Sequence, residues 1–343
     1  MTPPFRSGGA SVQDASLPSW PQPARGRLQA LIRQHRRSGA LAVFDADNTL
    51  YQHDLLGALL PYLERKGVLQ RERLSPVLRI VPFRDVPGED ESLHAYYQRL
   101  CDLDDQISYP WASQVFSGLT LRELKGHLDA MMESGAPIPV RSWAGEGLVD
   151  DTVLPPKLLR GQQELLTALM QHDIEVFVVS AASEELVRMV VSDPRYGYQV
   201  KPENVIGVSL LLNDPVSGGV TTARKEIAAG RYQPHTLLDH RMTPALWAPL
   251  PWYEGKQAAI HTYVHPWKKP VLVAGDTPRS DGPMFVRGTD VERGGLRLFI
   301  ARDPRHHDQM LEVQDHHAWH QTQQGVAVTA KANWVVVTPE QIG

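Results

Sequence analysis

The chain of 343 residues is 42% hydrophobic and 22% charged, the make-up of a soluble globular protein of two domains or of one domain with a large insertion. Its 35 Lys and Arg against 39 Asp and Glu leave a net charge of −4, so no overall basic field exists to hold nucleic acid or an anionic membrane. The single cysteine, Cys101, excludes an internal disulfide framework and any multi-thiolate zinc or iron–sulfur centre.

Residues 1–24 are rich in Pro, Ser and Gly and read as a mobile lead-in. They lack the apolar stretch of a secretory signal, and nowhere does the chain run to the roughly 18 apolar residues of a membrane span, so as written it reads as cytoplasmic. From Ala24 to His35, Leu28, Leu31 and Ile32 recur at helical spacing until Gly39 ends the segment. Four short apolar runs follow, Leu41–Phe44, Val176–Val179, Val271–Ala274 and Leu298–Ile300, each with the look of a strand buried on both faces. Amphipathic segments trail several of them, as in Glu184–Val191. The repetition predicts an α/β fold with a doubly wound parallel sheet. About 130 residues separate the first two runs, far more than one crossover needs, so a mainly helical domain is expected at 55–159. Its predicted helices are Leu55–Lys66, Glu91–Leu103 and Leu121–Met132, with Gly161–Gln171 just beyond. The core is then 25–54 together with 160–343.

Ligands of such sheets sit at the carboxyl ends of the strands, and three of the runs end in reactive groups. Leu41–Phe44 is followed by Asp45-Ala46-Asp47-Asn48-Thr49, Val176–Val179 by Ser180 and Ala181, and Val271–Ala274 by Gly275-Asp276. Two carboxylates at i and i+2 after a strand can converge on one small site, one as nucleophile and the other as general acid and base. They can equally be helix-capping residues. Asp276-Thr277-Pro278-Arg279-Ser280-Asp281 adds a second carboxylate pair, and hard oxygen ligands from Asp45 and Asp276 suit Mg²⁺. Lys256 opens an apolar-periodic helix, where positive charge at the positive dipole end mildly favours a neighbouring anion; taken alone it reads as a surface lysine.

Asp45-Ala46-Asp47-Asn48-Thr49, Ser180, Lys256, and Asp276 with Asp281 resemble, in order and spacing, the four motifs of haloacid-dehalogenase-superfamily phosphatases. From about Leu17 onward the chain is similar to the bacterial phosphorylcholine phosphatases of that superfamily, through segments such as ALLPYLERKG, DPRYGYQVKPENVIGVSLL and VLVAGDTPRSDGPMF. The resemblance implies hydrolysis of a small phosphomonoester through an aspartyl-phosphate. Asp45 would be the nucleophile, Asp47 the acid and base, and Lys256 the partner of Asp45 and the transferring group. Thr49, Ser180 and Ala181 would hold the phosphate. Mg²⁺ would be bound by Asp45, the Asp47 carbonyl and Asp276, with Asp281 at its waters or at Lys256. The inserted helices would be a cap that selects the substrate, and a periplasmic location would follow if the natural chain begins with a leader before Met1.

For a quaternary ammonium the cap needs aromatic faces and a carboxylate. Tyr96, Tyr97 and Trp111 are the candidates among eight aromatic residues between Tyr51 and Phe116, and the same residues would serve equally as cap core. Where the phosphorylcholine phosphatases carry acids, this chain has Leu56-Gly57, with Asp54 nearby, and Arg279 stands in the fourth motif where another Asp is expected. The same chemistry on phosphoethanolamine or a phosphoserine-like ester is therefore the alternative. Carbon–halogen hydrolysis is disfavoured because a halide needs no proton from Asp47, and a non-catalytic phosphate binder because it needs neither nucleophile nor acid. His306, His307, His316, His317 and His320 read as exposed helix histidines rather than a metal site, and no dinucleotide or P-loop motif occurs. The oligomeric state is not legible.

Overall fold

The runs read as buried strands share a reason to sit mid-sheet: Leu41–Phe44 and Leu272–Gly275 bury every side chain, so helices must cover both faces. A computed structural model describes residues 15–343; the reading of residues 1–14 as lead-in lies outside them. In chain order the elements begin α1 (Ala24–His35), β1 (Leu41–Phe44), β2 (Tyr51–Gln52), α2 (Leu55–Arg65), α3 (Leu93–Leu103), α4 (Asp105–Gln114) and α5 (Leu121–Ser134). Next come β3 (Ile138–Ala144), β4 (Gly147–Val153), β5 (Lys157–Leu158), α6 (Arg160–Gln171), β6 (Glu175–Ser183), α7 (Glu184–Val191), β7 (Val205–Asn213) and β8 (Val220–Thr221). The chain closes with α8 (Ala223–Ala228), β9 (Arg241–Trp247), α9 (Glu254–Ala259), β10 (Leu272–Gly275), α10 (Pro278–Val286), β11 (Leu296–Ile300), α11 (Pro304–Gln323), β12 (Trp334–Val337) and α12 (Pro339–Ile342).

The main sheet runs β12-β11-β10-β1-β6-β7-β8, with β9 also on β7. Strands β12 to β7 pair in parallel, whereas β8 and β9 run antiparallel to β7. This is the doubly wound α/β architecture expected. From β1 the chain winds out through β6 and β7, then returns to the other side at β10, so β1 is flanked by both directions of winding. The crevice at its carboxyl end is the place where such a sheet receives a ligand.

One expectation needs correction and another an addition. Residues 15–23 do not belong to a mobile lead-in: Leu17 and Trp20 are buried, Trp20 Nε1 donates to the Gly161 carbonyl at 2.7 Å, and Ser19 bonds Glu164 through both N and Oγ. Two large apolar side chains were enough to anchor a segment whose average composition is that of a free tail. The stretch 55–159, expected to be mainly helical, carries α2 to α5 and, unforeseen, an antiparallel β3–β4 hairpin of seven pairs. Ile138, Val140 and Ser142 alternate inward there, and Gly145, with φ +63°, turns the chain.

Candidate active site

Four strand-end segments deliver the site. The Asp45 amide donates to the Ala274 carbonyl at 2.9 Å, which knits the end of β1 to that of β10. After Asp47 the chain turns sharply through Asn48 at φ +56°, whose side chain accepts from the His53 amide. Ser180 lies near the end of β6, where the register with β7 shifts. Its Oγ accepts from the Ala182 amide at 3.1 Å, with half-buried Ala181 between them.

Lys256 is the centre of the charge arrangement. Its Nζ lies 2.7 Å from Asp45 Oδ1 and 2.5 Å from Asp281 Oδ1, with all three side chains buried. Burial alone would lower the lysine pKa, but the Asp281 and Asp45 carboxylates outweigh it and hold it above the usual value. Asp281 Oδ2 accepts from the Asp276 and Thr277 amides at 3.0 and 2.9 Å. Both its oxygens are thus engaged in holding Lys256 and the turn after β10. Gly275 is required for that grip, since a Cβ there would stand 2.5 Å from Asp281 Oδ2.

Asp276 accepts from Thr277 Oγ1 at 3.2 Å, lies 3.4 Å from the Thr49 hydroxyl, and pairs with Arg302 Nε at 2.7 Å. Thr49 is fully buried and braces Asp276 from behind. Burial pushes Asp276 well above the usual carboxylate range against the pull of Arg302. Asp45 is pushed up to about 6 by burial, with Lys256 opposing and Asp281 reinforcing. Asp47 accepts from the Leu55 amide at 3.0 Å; burial first and the neighbouring Asp54 second raise it well above its ordinary value. Asp45, Asp276 and Asp281 offer oxygens within 4.8 Å of one another, the one group of His, Cys, Asp and Glu side chains among the described residues so placed. Three buried carboxylates set against Lys256 and Arg302 retain an excess of one negative charge, which a hard, oxygen-seeking cation would relieve.

The aromatic candidates separate. Tyr96 and Trp111 are buried, the Tyr96 hydroxyl bonding Val81 and Trp111 Nε1 donating to the Leu78 carbonyl at 2.9 Å. They pack as interior residues with Phe83. Tyr97, stacked on Trp111, instead lines a cavity of about 590 Å³ with Asp54, Gly57, Gln98, Asp102 and Trp143. Asp54 caps α2 by accepting from the Gly57 amide, while Leu56 turns into the core. Trp143 and Asp102 were missed by sequence reasoning, the first because it sits on an unforeseen hairpin. Arg302 was missed too, although it follows β11 as Asp45 follows β1, and the same strand-end argument points to it. Arg279 stacks over the Tyr253 ring, 5.5 Å from its centroid. The C-terminal histidines lie on α11, where the His316 and His320 rings meet edge to face with centroids 4.4 Å apart.

No protein-family model matches the chain. Among solved structures, a conserved protein of unknown function from Anaerococcus prevotii superposes with a TM-score of 0.59 at 17% identity, covering 94% of this chain and 96% of that one; this likeness bears on the fold alone. No helix among the described residues is long and apolar enough to cross a membrane. A phosphorylcholine phosphatase of Pseudomonas aeruginosa is 53% identical over 336 residues, covering 97% of this chain and 96% of that protein. Identity of that extent over nearly the full length of both chains shows that the chain belongs to the phosphorylcholine phosphatase family of phosphomonoester hydrolases.

Proposed function

We propose that this enzyme hydrolyses phosphorylcholine through a phosphorylated Asp45. The observation that carries the reading is the buried cluster in which Lys256 bridges Asp45 and Asp281 beside Asp276, with Asp47 close enough to feel the charge of Asp54, a residue that lines the cavity. Asp45 attacks phosphorus, the bond to the choline oxygen breaks, and Asp47 gives that oxygen its proton. A raised proton affinity suits Asp47 to the task, because it enters the step protonated. Asp47, now ionised, takes a proton from the water that cleaves the acyl phosphate, restoring Asp45 and releasing inorganic phosphate. Lys256 keeps Asp45 oriented and balances charge gathering on the phosphoryl oxygens, and the Ser180 hydroxyl and the Ala181 backbone add hydrogen-bond donors to them.

The donor set fits Mg²⁺, held by Asp45, Asp276 and the Asp47 carbonyl; when bound it would neutralise phosphoryl charge so that a carboxylate can approach a dianion. Asp281 serves it indirectly, through Lys256 and the turn that presents Asp276.

The segment 55–159 acts as the cap. Its cavity offers the trimethylammonium group the Asp54 carboxylate and the faces of Tyr97 and Trp143, so the negative charge absent from Leu56-Gly57 is supplied one turn earlier. The test is phosphate release with Mg²⁺ from phosphorylcholine, phosphoethanolamine, phosphoserine and p-nitrophenyl phosphate. We expect a clear preference for phosphorylcholine, loss of turnover in Asp45→Asn, and loss with EDTA that Mg²⁺ restores. Turnover retained in Asp45→Asn would remove the covalent route, and equal rates on all four esters would remove the assignment of the cavity.

A further inference from the structure

The loop that leads into α9 is unusual for its backbone. Tyr253, the residue before the helix, has φ +50° and ψ −125°, a conformation that side chains other than glycine rarely adopt. Two residues on, a Cβ at Gly255 would stand 1.8 Å from the Leu250 carbonyl, so the loop is folded tightly onto the first turn of the helix. The Lys256 amide donates to the Tyr253 carbonyl at 3.1 Å, and the Gly255 amide to that of Trp252 at 2.9 Å. The position of the Lys256 backbone is therefore set by the loop, and strain of this kind persists only when the surroundings impose it.

The surroundings here belong to another part of the chain. The Tyr253 hydroxyl donates to Asp105, and Trp252 Nε1 donates to Gln106 Oε1 at 2.8 Å. Asp105 and Gln106 are the first residues of α4, in the inserted segment. Tyr109, one turn along α4, adds its ring to both, with centroids 5.9 Å from Trp252 and 6.5 Å from Tyr253. The other side of Tyr253 meets Arg279 at the start of α10, the helix that carries Asp281. Tyr253 thus touches the inserted helix, the lysine loop and the helix of the second carboxylate pair together.

We propose that Tyr253 and Trp252, clasped to Asp105 and Gln106, are positioning residues that place Lys256 between Asp45 and Asp281 only while α4 is seated. Seating the inserted segment and completing the charge centre are then one event, and a substrate that draws the segment down assembles the site that acts on it. The inference rests on the proposed role of Lys256.

The experiment uses the full chain with Tyr253→Phe, Asp105→Ala and the two combined, and Lys256→Met alongside. The substrate is p-nitrophenyl phosphate, which makes no demand on an ammonium site. We expect kcat to fall roughly tenfold in each single variant, the loss of one charge-assisted hydrogen bond, with KM changed less than kcat. The double variant should be no worse than either single one. Amide exchange measured by mass spectrometry should rise across residues 250–259 in Asp105→Ala, although the substitution lies on the other segment. Gln106→Leu, which breaks the second bond, stands in for Asp105→Ala if that variant does not fold. Unchanged kcat and unchanged exchange in 250–259 would overturn the clasp, and so would losses that simply add in the double variant. If Lys256→Met retains turnover, it is the role of Lys256 that fails, whereas the exchange result still reports on the clasp.

Discussion

On the proposed reading, Asp54 is the position where a single charge would bear on substrate choice. It caps α2 and faces the cavity beside Tyr97 and Trp143. Asn caps a helix as well as Asp does, so Asp54→Asn removes charge and little else. A carboxylate–ammonium contact at a partly solvated site is worth on the order of 1 kcal/mol or more. We therefore expect KM for phosphorylcholine to rise about tenfold while kinetics on p-nitrophenyl phosphate stay within about twofold. Equal effects on both substrates would place Asp54 in the reaction centre, through its neighbour Asp47, rather than at the head group. At this scale the sequence was informative where chemistry follows a strand end. Asp45, Ser180 and Asp276 were all legible, as was Lys256 through the motif order. Tyr96 and Trp111 were not distinguishable from Tyr97, because composition records aromatic content and not the direction in which adjacent rings point.

Between elements, the best-defined electrostatic link joins α5 to the turn after α7. Lys125 and Asp129 of α5 meet Asp193, Arg195 and Tyr196, with Lys125 Nζ 2.8 Å from Asp193 and Arg195 2.6 Å from Asp129. Hydrogen bonds from Arg195, then from Lys125, hold Asp193 below the usual carboxylate range. A pKa depressed on folding means that the stabilisation is complete above the unfolded value, about 3.9, and is lost as pH falls below it toward the folded value. Because Arg195 is largely exposed, screening limits the contribution to about 1 kcal/mol. Asp193→Asn should lower the thermal midpoint at pH 7, and the gap to the parent should narrow at pH ~3. A gap unchanged by acid would show that packing, not charge, links the two elements. Helices α2, α3, α5 and α6 were readable from periodicity within a few residues. Helix α4 was not, since Pro110 interrupts its pattern, and its burial comes from packing against α3 and α2 as well as β6, β7 and β9.

Across the whole molecule, the segment ahead of α1 closes the core. Trp20 is 1% exposed and bonded to Gly161, at the start of α6. Trp20→Ala should cost about 3–5 kcal/mol, read by denaturant unfolding, whereas a cost under ~1 kcal/mol, the scale of surface changes, would mean that the segment only rests on the surface. Periodicity and strand-end residues sufficed for the α/β class, and they, with the resemblance in motif order, singled out charged residues that the fold brings together. Those features depend on local pattern, which one chain carries in full. The placement of β7, β8, β9 and β12, the ordering of residues 15–23, the β3–β4 hairpin, and the pairing of Tyr253 with Asp105 were decided only in three dimensions. Residues 15–23, β7, β9, β12 and Tyr253 meet partners more than ten residues away in the chain, while β8 and the hairpin pair strands that are consecutive in the chain, and a linear sequence does not record which partner a buried face or a hydroxyl will meet.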